Sequence, residues 1–218
     1  MSRRDNGAQR CVDCRMHRAL CLCSLIPSLQ ARSRLLLLVH KDEALKPTNT
    51  GLLAARCLKD AVVVVGGDGR SGALPVIEGP AALLFPAEGA RELSAADGPL
   101  TLVVPDGTWR QARKLRTRTP GLEGLPCVTL PAGGPTTYQL RAERREGGLS
   151  TLEAIARAFA VLEGRLEGKA IEDALLAVQR VMVDRTLWLR GALRDVDVAG
   201  GIPEAARLHD PRGGLPRS

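Results

Sequence analysis

The sequence predicts an α/β protein with a parallel β-sheet, and three observations carry that expectation. Short apolar runs recur at 34–39, 61–65, 81–85, 100–104 and 126–130. Leu102-Val103-Val104 shows no polar/apolar alternation, which marks a strand buried on both faces. The 218 residues suffice for one substantial core of this kind and a small appendage.

Composition narrows the class. The hydrophobic fraction of 44% is ordinary for a globular chain, while aromatics make up only 2%. The core must therefore be aliphatic, and a nucleic-acid surface built on stacked aromatics is disfavoured. A net charge of +7 permits a polyanionic partner without establishing one. No stretch approaches the length of a transmembrane helix, and the Arg-rich N-terminus carries no apolar signal-peptide core. A cytoplasmic location with no membrane association is the default expectation. In that compartment the six cysteines read as metal ligands or reduced thiols rather than disulfides.

Cys11, Cys14, Cys21 and Cys23 form a C-x2-C-x6-C-x-C cluster. Four thiolates can enclose a tetrahedral zinc, and such a closed shell leaves no open position for chemistry. A structural zinc is expected, in a module spanning 1–33. His17 is left out because the four thiols complete the shell. Cys57 and Cys127 lie in apolar surroundings and read as core residues. Seven arginines up to Arg34 stand against Asp5 and Asp13. That surplus suits either phosphate contact or neutralisation of the thiolate site.

The main domain is expected over 34–195. Arg34–Val39 is the first strand. Pro47 disfavours helix just before it, and Thr48 or Asn49 can cap a helix running toward Lys59. Such a helix start favours an anion. Ala61–Val65 and Ala81–Phe85 are further strands, and Glu88–Ala96 reads as a short helix. The Gly66–Gly72 loop matches no phosphate-binding pattern and reads as a connection.

Leu100–Val104 then leads into Pro105-Asp106-Gly107-Thr108-Trp109. Asp106 and Gly107 supply turn chemistry at a strand end, and Asp106 can also cap the helix beginning near Thr108. Ligand sites in open α/β sheets gather at the carboxyl ends of strands. Local pattern alone leaves both a turn-forming and a functional Asp106 open. Arg110, Arg113, Lys114, Arg116 and Arg118 follow without an intervening acid, which suits either a solvated face or a phosphate track.

Pro126–Leu130 is the fifth strand. A Gly/Pro loop and Tyr138-Gln139-Leu140-Arg141 come next. Ser150 and Glu153 have capping-box spacing and open a helix over Thr151–Leu166. A second helix over Lys169–Leu193 carries Ile171, Leu175, Val178, Met182 and Leu189 on one stripe, a core face or a dimer seam. The segment 196–218, rich in Gly, Pro and Arg from Ala199 onward, is expected to be a loosely ordered tail.

The Pro105–Trp109 signature resembles that of the DTW-domain family, tRNA-uridine aminocarboxypropyltransferases similar to SPOUT-type enzymes. Four further stretches carry the same resemblance: the cysteine cluster, Thr48-Asn49-Thr50 preceded by His40 and Glu43, Tyr138–Arg141, and Leu149–Ala154. Lys41 follows His40 where many members have proline. The resemblance implies a SPOUT-like parallel sheet with a C-terminal trefoil knot holding S-adenosylmethionine. It implies cofactor contacts from Asn49, Pro105, Thr108, Trp109 and Leu130, and from Tyr138, Leu140, Arg141, Ser150, Thr151 and Glu153. Arg141 is expected to clamp the cofactor's carboxylate. Arg110, Arg113, Lys114 and Arg116 are expected to contact tRNA.

The implied reaction moves the 3-amino-3-carboxypropyl group of S-adenosylmethionine to N3 of a tRNA uridine and releases 5′-methylthioadenosine. Asp106, partly buried at a strand end, is expected to take the imide proton. A SPOUT-type RNA methyltransferase and a non-catalytic zinc-containing RNA-binding protein are the alternatives. The resemblance is compatible with a monomer or a homodimer.

Overall fold

The side chains of Leu35–Val39 alternate between two covered faces of one sheet. Leu35, Leu37 and Val39 join a large core with helices on one side, and Leu36 and Leu38 join a smaller core on the other. That double burial is why the run is uninterruptedly apolar. The structure, a computed structural model, describes residues 9–67, 74–138, 140 and 148–208.

Its elements in chain order begin with strand β1 (Arg34–His40), helices α1 (Lys41–Ala44) and α2 (Thr50–Cys57), and strands β2 (Val62–Gly66) and β3 (Ala81–Leu84). Strands β4 (Arg91–Glu92) and β5 (Thr101–Asp106), helix α3 (Trp109–Arg118) and strand β6 (Cys127–Thr129) follow. Helices α4 (Thr151–Leu162), α5 (Glu167–Leu189) and α6 (Glu204–Leu208) complete the described chain.

All paired strands are parallel, in the order β2-β1-β5-β3-β6-β4. The two most thoroughly buried strands, β1 and β5, lie inside the sheet, while the four valines of edge strand β2 are largely exposed, and Val39 stands beside Asp106 in register. Helices α2, α4 and α5 cover one face, where Phe159, Ile155, Leu175 and Met182 are buried. Ala112 and Leu115 of α3 cover the other. Most of the α5 stripe is therefore core: Ile171, Leu175, Val178 and Met182 are all buried.

Two expectations are corrected. The Glu88–Ala96 segment forms no α-helix. Arg91 and Glu92 instead pair with Val128 and Thr129 as edge strand β4, and a 3-10 turn follows at Ala95–Asp97. Leu93 is buried in the main core, and its N–H donates to the Thr129 carbonyl at 2.9 Å, so tertiary pairing overrides a helical composition. The tail is also packed as far as Leu208. Val198, Ile202 and Ala206 are buried, and α6 lies against the 3-10 turn Arg18–Leu20. Met16, Leu20 and Leu22 enter the same core as the sheet, so the cysteine-bearing segment is fastened to the domain. Among the described residues no helix is long and apolar enough to cross a membrane.

Candidate active site and metal centre

Strand β3 accompanies β5 only as far as the Leu83–Val103 pair. Val104, Pro105 and Asp106 run on beyond it, paired to β1 alone. The space left at the carboxyl edge is a cleft of about 1010 Å³, large for a small-molecule site. The ends of β3, β5 and β6 and the starts of α2, α3 and α4 form its walls.

Three side chains cap those helix starts. Asn49 Oδ1 accepts from the Leu52 N–H at 2.7 Å. Thr108 forms a capping box with Gln111, and Ser150 forms one with Glu153. The cap of α3 is thus Thr108, and Asp106 is left for another role. Three helix N-termini facing one cleft bias it toward negative charge.

Asp106 is 5% exposed and lines the cleft. Its Oδ2 accepts from Asn49 Nδ2 at 2.6 Å, and its Oδ1 accepts from Thr151 Oγ1 at 2.5 Å. Helices α2 and α4 are therefore both tied to the tip of β5. Gly51 makes the approach possible, since a Cβ there would lie 2.9 Å from Asp106 Cγ.

Asn49, Pro105, Thr108, Trp109, Leu130, Tyr138, Ser150 and Thr151 all line the cleft. Leu140 packs against the core instead. Glu153 lies beneath the β6–α4 loop, where it accepts from Thr136 Oγ1, the N–H and Oγ1 of Thr137 and the Ser150 N–H. Burial pushes the Glu153 carboxyl up, but these donors outweigh it and hold it below the usual carboxylate range. Arg141 lies outside the described residues.

Of the four cations expected to meet tRNA, Arg110 is on the cleft wall, and Arg113 and Lys114 are exposed along α3. Arg116 is half-buried, its guanidinium carbon 5.6 Å from the Phe85 ring centroid. None pairs with a carboxylate among the described residues. Scarce aromatics prove to be concentrated here. The chain has two Phe, two Trp and one Tyr, and Phe85, Trp109 and Tyr138 line this cleft.

Gly51, Phe85 and Arg157 also belong to this site, although no motif marks them. Only Arg157 left a local signal, three residues after Ala154 and six after Thr151 on one helical face. His40, at the end of β1, is structural: its Nδ1 accepts from the Asp42 N–H at 3.3 Å and caps α1.

The second site is the cysteine cluster, whose four sulfurs lie within 4.8 Å of one another. Cys11 and Cys23 Sγ are 3.6 Å apart, and Cys14 and Cys21 Sγ are 3.7 Å apart. Disulfide sulfurs would sit about 2.05 Å apart, whereas a tetrahedron of metal–sulfur bonds near 2.3 Å has edges of about 3.8 Å. The Leu22 N–H donates to Cys14 Sγ at 3.4 Å and the Cys23 N–H to Cys21 Sγ at 3.5 Å, contacts that favour thiolates. The donor set can hold a metal ion.

These features define a parallel α/β protein with a polar-based cleft at its strand ends and a four-thiol centre beside its core. The chain belongs to the DTW-domain family, whose family model matches residues 8–187. It is 32% identical over 175 residues to a Drosophila melanogaster protein named tRNA-uridine aminocarboxypropyltransferase 2, covering 74% of this chain and 70% of the relative. Proteins of the same name from Macaca fascicularis and Mus musculus are 27% and 29% identical, each over 76% of this chain and 59% of the relative. No solved structure matches the chain.

Proposed function

We propose that this chain is a tRNA-uridine aminocarboxypropyltransferase using S-adenosylmethionine as donor. The observation that carries the reading is Asp106, held between α2 and α4 at the wall of a cleft large enough for a nucleoside and an incoming base, in a chain whose relatives are named for that activity. The cleft has room for the donor beside a substrate base, and its apolar walls with few convergent polar groups suit a nucleoside. A SPOUT-like arrangement with a C-terminal knot is supported by the parallel sheet and by the meeting of the 130–138 loop and the α4 start at one edge.

The donor supplies an electrophilic methylene bonded to a sulfonium. The uracil imide must lose the N3 proton as the N–C bond forms and the C–S bond breaks, leaving 5′-methylthioadenosine. Asp106 accepts that proton. The donors from Asn49 and Thr151 orient its carboxylate at the cleft wall. Trp109 and Tyr138 wall the cleft. Arg110, Arg113, Lys114 and Arg116 form the phosphate track for tRNA. The four cysteines would hold zinc, which closes the N-terminal segment on itself so that Met16, Leu20 and Leu22 can pack on the domain, and which takes no part in transfer.

The test is incubation with tRNA and S-adenosylmethionine labelled either in the methyl or in the aminocarboxypropyl carbons. Label in tRNA from the second donor alone is expected. Label from the methyl would make the chain a methyltransferase, and binding without label would make it an RNA-binding protein.

A further inference from the structure

Asp106, Arg110 and Arg157 are the charged residues on the cleft wall among those described. Arg110 belongs to the exposed face of α3. Arg157 is half-buried on α4, and no carboxylate pairs with it among the described residues. Its Nη2 donates to the carbonyls of Gly134 at 2.5 Å and Pro135 at 3.5 Å. A cation fixed by neutral acceptors in a concave site keeps its full charge for a ligand.

Thr151, Ala154 and Arg157 form one stripe at three-residue spacing along the cleft side of α4. Thr151 touches Asp106. The Arg157 backbone stands about 9 Å further along the axis, and helical side chains lean back toward the N-terminus. Ala154 contributes only a methyl between them. Gly133 opposite is also permissive: a Cβ there would lie 2.7 Å from Arg157 Nη1.

We propose that Arg157, in place of the Arg141 that the family resemblance implies, binds the α-carboxylate of the donor's aminocarboxypropyl arm. This rests on the transferase reading above. That arm places its carboxylate roughly 5 Å from its sulfonium, four bonds of about 1.5–1.8 Å in extended form. Anchoring the carboxylate on Arg157 lays the reacting methylene across Ala154 toward Asp106. The arm rather than the methyl group is then aimed at the uracil nitrogen, so one contact serves both affinity and the choice of transferred group.

The experiment is calorimetric titration with two unreactive nucleosides. S-adenosylhomocysteine carries the arm, and 5′-methylthioadenosine lacks it. Arg157→Gln keeps donors for the Gly134 carbonyl and removes the charge. It should weaken S-adenosylhomocysteine roughly tenfold or more and leave 5′-methylthioadenosine within about twofold. Arg157→Lys, which restores the charge, should recover part of the loss, and Gly133→Ala should reproduce part of it. Equal effects on the two nucleosides, or loss of tRNA affinity with both unchanged, would overturn the assignment. Melting curves of both Arg157 variants separate this from misfolding, and Arg157→Lys decides if Arg157→Gln does not fold. Failure of the unaltered protein to bind either nucleoside would instead overturn the transferase reading and this inference together.

Discussion

At the scale of single residues the site turns on Asp106, whose two oxygens are each engaged by a donor from a different helix. Asp106→Asn keeps the shape but turns one acceptor into an N–H₂ group facing Asn49 or Thr151. The Thr151 hydroxyl can rotate to accept, so the cost to folding should stay within about 1–3 kcal/mol. Loss of the base should lower transfer by roughly 10²–10⁴-fold with nucleoside binding retained. Steady-state kinetics beside calorimetry checks this, and near-normal turnover would take Asp106 out of the proton transfer. Gly51→Ala attacks the same group indirectly, because its Cβ would meet the carboxyl carbon at 2.9 Å. It should lower kcat more than it raises KM. The sequence marks Asp106 as a carboxylate at a strand end. It cannot show that the donors come from 57 residues upstream and 45 downstream, because that depends on which strand ends adjoin.

At the scale of elements, α4 is pinned at both ends by buried glutamates. Glu153 holds the β6–α4 loop at its start. Glu163, just past its end, accepts from the N–H groups of Arg32 and Ser33, both at 2.8 Å. Burial pushes both carboxyls up, yet the donors prevail and each lies below its ordinary value of 4.5. A depressed folded-state value means both stabilise the protein fully above about pH 4.5, and that this contribution fades as pH falls through the folded values. Glu153→Gln and Glu163→Gln should each destabilise at pH 6–7 by about 1–3 kcal/mol. The gap from the unaltered protein should narrow as the pH falls below 4.5. Urea unfolding across that range measures it, and a pH-independent gap would show that the charge is not what stabilises. The capping box of α4 was legible in Ser150 and Glu153 because it is local. The reach of Glu153 to Thr136 and Thr137 was not, since it depends on how the loop folds back. Strands β1 and β5 were legible because burial on both faces leaves an unbroken apolar run. Strand β4 was not, because a two-residue polar edge strand has no pattern of its own.

At the scale of the whole molecule, the cysteine centre, α5 and the C-terminal segment form one assembly around Arg185. This arginine is 4% exposed, and its Nη1 donates to the carbonyls of Leu20 at 3.3 Å and Cys21 at 2.6 Å. Three residues on, Trp188 Nε1 donates to Asp195 Oδ1 at 2.6 Å. The Ala199 N–H is held by Asp184 Oδ2 at 2.9 Å, which brings the final segment back over the N-terminal turn. Four thiolates around one divalent ion would leave a formal charge of −2, and Arg185 is, among the described residues, the buried cation placed to offset it. Removing one partner of a buried charge pair costs about 3–5 kcal/mol, whereas removing both costs far less. Arg185→Met should therefore strongly destabilise the metal-loaded protein but have a much smaller effect once a chelator has stripped the ion. Cys11→Ser should abolish stoichiometric metal and reduce the Arg185→Met penalty in the same way. Elemental analysis with melting curves, with and without chelator, completes the cycle. An Arg185→Met penalty unchanged by metal removal would leave the arginine as a tether for two carbonyls, with no electrostatic link to the thiolate centre.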